Sequence, residues 1–232
     1  MRVLAIVPAA GEGKRMGAST RKPFLSLGGI PILALTLRNL MRCPQIEHFL
    51  VCVHPQDQEL AEREVLPHLP FPQRVEWVEG GRRRQDTVYN ALSREKAEGD
   101  LILIHDGVRP FVAPHSVGKA IQETQEWGAT VFGLPAVETI KAVNREGIVI
   151  KTIERGGLWS IQTPQTFHKD LIVSAYDMAY REGFEGPDDA SLVERTGAKV
   201  KVLMGSRKNI KITTSEDLAL AEGILASWEP AC

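Results

Sequence analysis

The sequence predicts an α/β protein built on a mostly parallel sheet. Short apolar, β-rich runs alternate with helical patterns almost from end to end, and glycine-bearing basic loops follow several of the strands. Such alternation marks βαβ units, whose helices cover both faces of the sheet. Ligands then sit beyond the carboxyl ends of the strands. Hydrophobic and charged residues make up 43% and 25% of the chain, as in ordinary globular proteins. The net charge of -1 gives no global attraction to nucleic acid or to a membrane surface. Any anion site must therefore be built locally.

Val3–Val7 reads as a buried strand, and Ile32–Met41 as a helix with Leu33, Leu37 and Leu40 on one stripe. A strand over Phe49–Val53, a polar helix over Gln56–Leu66 and a strand over Val75–Val78 follow. Asp86–Ala97 suits a helix, Leu101–His105 a strand and His115–Trp127 another helix. The rhythm then breaks. Val137–Val143 and Ile148–Ile153 are separated only by Asn144-Arg145-Glu146-Gly147, a hairpin signal. An isolated hairpin is marginal in water. This one either folds back on its own domain or protrudes as an arm that dimerises, and the pattern leaves both open. Val200–Leu203 and Ile210–Thr213 read as strands. A final helix is capped by Thr214 or Ser215 and carries Leu218, Ala221 and Leu225 on its apolar stripe.

No repeat or linker divides the chain, so residues 1–232 are expected to form one domain. No stretch approaches the length of a membrane span. The apolar run ending at Pro8 is too short for a signal peptide. Cys43, Cys52 and Cys232 are scattered without disulfide or zinc spacing, which fits a reducing, cytoplasmic compartment.

Three loops carry the chemistry. Pro8-Ala9-Ala10-Gly11-Glu12-Gly13-Lys14-Arg15-Met16-Gly17 follows the first strand, with Arg21-Lys22 just beyond. Small residues allow close backbone approach, and glycines accept the dihedrals of a phosphate-cradling loop. The dinucleotide pattern fails at Met16 and the P-loop pattern lacks its G-K-[S/T], but the concentration of cations calls for an anion. Gly80-Gly81-Arg82-Arg83-Arg84-Gln85-Asp86-Thr87 is the second loop. Its arginines oppose the helix macrodipole by roughly 0.3–1 kcal/mol each, which a bound nucleotide would offset, and Thr87 adds a hydroxyl. His105-Asp106-Gly107-Val108-Arg109-Pro110 is the third. A carboxylate there, beside phosphate-binding loops, is where a magnesium ligand belongs, because magnesium often takes one or two protein carboxylates and completes its shell with phosphate and water. His105 is expected to be a packed neighbour and not a catalyst.

Read together, these segments resemble the 2-C-methyl-D-erythritol 4-phosphate cytidylyltransferases of the non-mevalonate isoprenoid pathway. The resemblance runs in order through PAAGEGKRMG, RKPFLSLGG, GGRRRQDTV, HDGVRPF, PAVETIKAV, GLWSIQTPQTF, DDAS and NIKITTSEDLALAE. It implies a Rossmann-like α/β domain with a protruding β-arm, here residues 136–157, that interlocks two subunits. It also implies transfer of CMP from CTP to 2-C-methyl-D-erythritol 4-phosphate, with magnesium as the cofactor. By resemblance, Arg15 and Lys22 stabilise the transition state, and Arg155 and Lys211 are also catalytic. Pro8, Ala9, Ala10, Gly11, Gly13, Gly80, Gly81, Thr87, Asp106 and Gly107 hold CTP, and Asp106 also holds the metal. Arg109, Thr139, Arg155, Thr163 and Lys211 position the acceptor phosphate, Thr139 and Arg155 in trans. Pro23, Thr87 and Pro187 depart from the residues usual at their positions, and Pro187 puts any contact there in doubt.

The residues contain no Ser-His or Cys-His pair, and the implied reaction needs none. A phosphate monoester is largely dianionic at pH 7 and can attack phosphorus unaided. Catalysis then reduces to positioning and charge neutralisation. Ribitol-5-phosphate cytidylyltransferases share much of this motif set, and a regulatory subunit that has lost catalysis is a rival of another class.

Overall fold

A computed structural model describes residues 2–11, 21–94 and 99–228. Gly13, Lys14 and Arg15 of the first loop lie outside the described residues.

Strand β1 (Val3–Pro8) shows why the sequence folds as a layered sheet. Val3, Ala5 and Val7 enter the core on one face, and Leu4 and Ile6 enter the core on the other. A strand buried on both faces reads as an unbroken apolar run. A small ribbon of β2 (Ser26–Leu27) and β3 (Ile30–Pro31) leads into α1 (Ile32–Leu40). The βαβ rhythm continues with β4 (Ile46–Val53), α2 (Gln58–Glu64), β5 (Val75–Glu79), α3 (Arg84–Leu92), β6 (Leu101–Ile104) and α4 (Pro114–Trp127). Then come β7 (Ala129–Pro135), the pair β8 (Ile140–Val143) and β9 (Val149–Ile153), and β10 (Trp159–His168). The chain closes with α5 (Lys169–Glu182), α6 (Asp189–Arg195), β11 (Lys201–Met204) and α7 (Ser215–Ala226).

The seven-stranded sheet has the order β11-β7-β10-β6-β1-β4-β5. Only β10 runs antiparallel to its neighbours, β6 and β7. Helices α1, α2 and α4 pack on one face through Leu33, Leu37, Leu40, Ala61, Val117 and Ile121. Helices α3, α5 and α6 cover the other through Val88, Ala91, Ile172, Ala175 and Val193. The predicted α/β class and the mostly parallel sheet are both present.

Several elements differ from expectation, each for a physical reason. Ile210–Thr213 is not a strand. Its backbone makes single bonds and no ladder: Ile210 N–H donates to Lys208 O nearby, and Ile212 N–H to Val108 O in the loop after β6. Ile212 is wholly buried in a third core under α7, beside Leu27, Ile32, Phe111 and Ala221. Its apolar alternation therefore anchors a loop and forms no ladder. Helix α3 begins at Arg84, two residues early, because the Asp86 carboxylate reaches back to accept from the Arg83 backbone N–H and guanidinium. The polar helix is α2, flanked by 3-10 turns at Pro55–Asp57 and Leu66–His68. Strand β10 was not anticipated: it contains Pro164, which cannot donate to a ladder, and its pairing with β7 shifts between Gln162 and Gln165.

The hairpin does not fold back. β8 and β9 pair with each other, and Val143, Ile148, Val149 and Ile150 remain 54%, 61%, 54% and 66% exposed. It protrudes.

Candidate active site

A cavity of about 690 Å³ opens beyond the carboxyl ends of β1, β4, β5 and β6. Pro8, Ala9, Ala10 and Gly11 form one wall, and Gly80 and Gly81 form another. Ala9 N–H donates to Cys52 O at 2.7 Å and Gly80 N–H to Val53 O at 2.7 Å, so both loops continue the sheet's bonding before they turn away. They meet closely. A Cβ on Gly80 would lie 2.1 Å from the Ala10 methyl, and one on Gly81 would lie 2.4 Å from Asp86 Cβ. Glycine at both positions is a steric requirement of the two-loop wall.

Thr87 is buried in the first turns of α3. Its hydroxyl accepts from Gly81 N–H at 3.0 Å and bonds Arg83 O at 3.0 Å. It shapes the glycine loop, while also facing the cavity.

Asp106, at the end of β6, is the one carboxylate lining the cavity among the described residues. It is 5% exposed and shared by three cations. Arg84 Nε lies 3.2 Å from Oδ1, while Arg109 Nε and Lys211 Nζ lie 3.3 and 2.9 Å from Oδ2. Burial by itself would raise the carboxyl's pKa, but the charges of Arg84, Lys211 and Arg109 hold it well below the usual carboxylate range.

A buried chain of hydrogen bonds fixes Asp106 from behind. Asp106 N–H donates to Thr163 Oγ1 at 3.0 Å. Arg109 O lies 3.0 Å from His105 Nε2 and can only accept, so that nitrogen carries the proton. His105 Nδ1 is then the acceptor for the Thr163 hydroxyl at 3.1 Å. Burial pushes His105 down to about 4, so it stays neutral and keeps this tautomer. The expectation of a packed His105 holds. Thr163, expected to meet the acceptor phosphate, does not line the cavity, and its hydroxyl is engaged with Asp106 and His105.

Lys22 lines the opposite side, on a 3-10 turn over Lys22–Phe24, and donates Nζ to Thr213 O. Its neighbour Arg21 is drawn to Asp57 at 2.6 Å and is absent from the lining. Lys211 and Thr213 come from the loop before α7. The structure thus gathers Pro8, Ala9, Ala10, Gly11, Lys22, Gly80, Gly81, Thr87, Asp106 and Lys211 around one cavity. Gly107 packs beneath it, its N–H on Pro8 O. Arg109 is spent on Asp106 and on Asn209 O at 2.8 Å. Thr139 and Arg155 are exposed on the arm side and do not line their own chain's cavity. Arg155 instead bonds Val137 O. Arg15 and Gly13 lie outside the described residues.

A family model described as IspD, 2-C-methyl-D-erythritol 4-phosphate cytidylyltransferase, matches residues 3–227. The chain belongs to this cytidylyltransferase family. Relatives of that name include one from Geobacter metallireducens, 42% identical over 99% of this chain and 100% of its own. Another, from Syntrophotalea carbinolica, is 42% identical over 97% of each chain. Among solved structures, the 4-diphosphocytidyl-2C-methyl-D-erythritol synthase of Anaerococcus prevotii superposes with a TM-score of 0.85 at 30% identity, covering 97% of this chain and 96% of its own. The Thermus thermophilus cytidylyltransferase gives a TM-score of 0.81 at 32% identity, covering 97% and 100%.

Sequence reasoning missed one part of the cytidylyltransferase site. Arg84 was read only as a member of a basic run. It pairs with Asp189, a residue 105 positions away, as well as with Asp106. The available signal was a tandem Asp188-Asp189 opening a helix, with a second arginine needing a counter-charge. Pro187, the departure beside that pair, does not line the cavity.

Proposed function

We propose that this chain transfers CMP from CTP to 2-C-methyl-D-erythritol 4-phosphate and releases pyrophosphate, as a cytoplasmic, magnesium-dependent homodimer. The observation that carries the proposal is the cavity itself. A loop that admits no Cβ at Gly80 or Gly81, packed against Ala10 of the first loop, faces a single buried carboxylate and several cations, and no serine or cysteine lines the described walls. That set suits a triphosphate and in-line attack by an anionic acceptor, which requires no proton to be removed.

The backbone of Ala9, Ala10, Gly80 and Gly81 receives the nucleotide. The acceptor's phosphate oxygen forms a new bond to the α-phosphorus of CTP while the bond to the β-phosphate oxygen breaks. Lys22 and Arg15 neutralise charge on the transferred group, Lys211 holds the acceptor beside Asp106, and Arg109 steadies the Asp106 carboxylate. Thr163 acts from behind by fixing the Asp106 backbone.

Among the described residues no group of three or more His, Cys, Asp or Glu could form a protein cage for a metal. Asp106 is the one carboxylate of the described residues that faces the cavity, a hard oxygen donor suited to magnesium, which would take its remaining ligands from phosphate and water. When bound, the ion withdraws charge from the phosphates. Arg84, Arg109 and Lys211 already crowd Asp106, so Lys211, 40% exposed, is the partner able to give way.

The arm supplies the case for a dimer. Val137, Val143, Ile148, Val149 and Ile150 are more than half exposed, a surface that a second copy would cover. Thr139 and Arg155 lie off their own cavity and act in the partner's. A cytoplasmic setting agrees with Cys43 and Cys52, both unbridged and buried. No helix of the described residues is long and apolar enough to cross a membrane.

The test is pyrophosphate release with CTP, magnesium and one acceptor at a time. Release with methylerythritol phosphate and little with ribitol 5-phosphate is expected. The reverse preference, or release with neither, overturns the proposal.

A further inference from the structure

An ion pair joins α3 to α6 at the cavity wall, with Arg84 facing the cavity and Asp189 buried beneath it. Arg84, the first residue of α3, makes two bonds to Asp189, the first residue of α6, at 3.0 and 2.7 Å. Asp189 is wholly buried and also accepts from the Tyr176 hydroxyl at 2.6 Å. A two-pronged carboxylate–guanidinium pair fixes the plane of the guanidinium. The Nε–H, which that pair does not use, is thereby aimed, and it lands on Asp106 Oδ1 at 3.2 Å.

Helix packing alone does not account for this arrangement. A cation at a helix N-terminus opposes the macrodipole, and a buried pair is often no more stable than apolar residues of the same size. A scaffold pair also has no need of the third donor. The two oxygens of Asp106 are held differently: Oδ1 by the clamped Arg84, Oδ2 by Arg109 and the half-exposed Lys211.

We propose that Arg84, clamped by Asp189 and Tyr176, is a positioning residue that fixes the Asp106 carboxylate for cytidylyl transfer. It holds Oδ1 still, so that Oδ2 alone exchanges partners when substrates enter. This inference rests on the reading of Asp106 as the nucleotide- and magnesium-facing carboxylate.

The experiment is a double-mutant cycle between Asp189→Asn and Asp106→Asn. Single-turnover pyrophosphate release is followed at saturating CTP and methylerythritol phosphate, beside melting curves. Asp189→Asn keeps the side chain's shape and is expected to lower the rate by roughly 10- to 100-fold, the scale carried by outer partners of a metal-facing ligand. In the Asp106→Asn background the same change is expected to cost less than about threefold, because both act through one group. Arg84→Lys, which keeps the charge but cannot bond both carboxylates in the same way, is expected to behave like Asp189→Asn. Equal losses in both backgrounds would mark a scaffold role and overturn the inference. Wild-type rates in folded Asp189→Asn or Arg84→Lys would do the same. Silence from the wild-type enzyme would instead remove the functional reading, and this inference with it.

Discussion

Asp86 shows how a helix that opens on arginines is kept in place. Its carboxylate accepts from Arg83 Nη2, Nε and backbone N–H at 2.6, 3.0 and 3.1 Å, and from the Tyr180 hydroxyl at 2.5 Å. The Arg83 side-chain bond is the largest cause that brings its pKa from an ordinary 3.8 to about 2. A depressed carboxylate stabilises the fold above its unfolded pKa and loses that contribution as pH falls through the folded value. The pair is half open to water, so about 1 kcal/mol is expected after screening. Urea unfolding of wild type and Asp86→Asn should therefore differ by about 1 kcal/mol at neutral pH, with the gap closing as pH drops from about 4 to about 2. A gap independent of pH would mean that shape and not charge is responsible. At this scale the sequence was most informative where a residue's neighbours in the chain reveal its task. Lys22 and Asp106 sit in or beside loops whose glycines and cations announce an anion, whereas Lys211, on an expected strand, stood out only through the family resemblance. Arg84 was opaque, because Asp189 and Tyr176 reach it only through the packing of α5 and α6 against α3.

The alternation of strands and helices through Trp127 was legible because β1, β4 and β6 are buried on both faces and read as apolar runs, while α1 and α4 bury one face. The later half was legible only in the hairpin, β11 and α7. β7, β10, α5 and α6 went unread, β10 because a proline interrupts its apolar run. The Ile210–Thr213 segment carried a strand's pattern, yet its alternation serves the third core. That segment is braced by α7: Asp217 accepts from Thr213 N–H, the Thr213 hydroxyl and Thr214 N–H at 2.8, 2.7 and 2.9 Å. Thr213 O in turn receives Lys22 Nζ. Ile212, wholly buried between Lys211 and Thr213, therefore links packing to the site. Ile212→Ala should cost about 2–4 kcal/mol in urea unfolding. It should also lower kcat/KM for the acceptor by at least about tenfold, since small misplacements are costly in catalysis. Lost stability with intact kcat/KM would show that α7 does not brace Lys211.

At the scale of the whole molecule, the pattern left the hairpin's direction open, and the exposure of its apolar residues decides it. If Thr139 and Arg155 serve the partner's cavity, two inactive variants should rescue each other. Mixing Arg155→Ala with Lys22→Ala through unfolding and refolding should restore about a quarter of wild-type activity, because half the dimers are mixed and each has one intact site of two. No recovery above either variant alone would place the arm in its own chain's site, or in none. The first loop, the glycine wall and the Asp106 cluster share one function in this account, which is to place positive charge around a triphosphate without a general base. The most direct measurement is turnover of Lys22→Ala at saturating CTP and methylerythritol phosphate, beside its affinity for CTP. The account predicts a folded enzyme that binds CTP nearly as wild type and turns over on the order of 10²–10³ more slowly, about 3–4 kcal/mol of lost transition-state stabilisation. Near-wild-type turnover would contradict it.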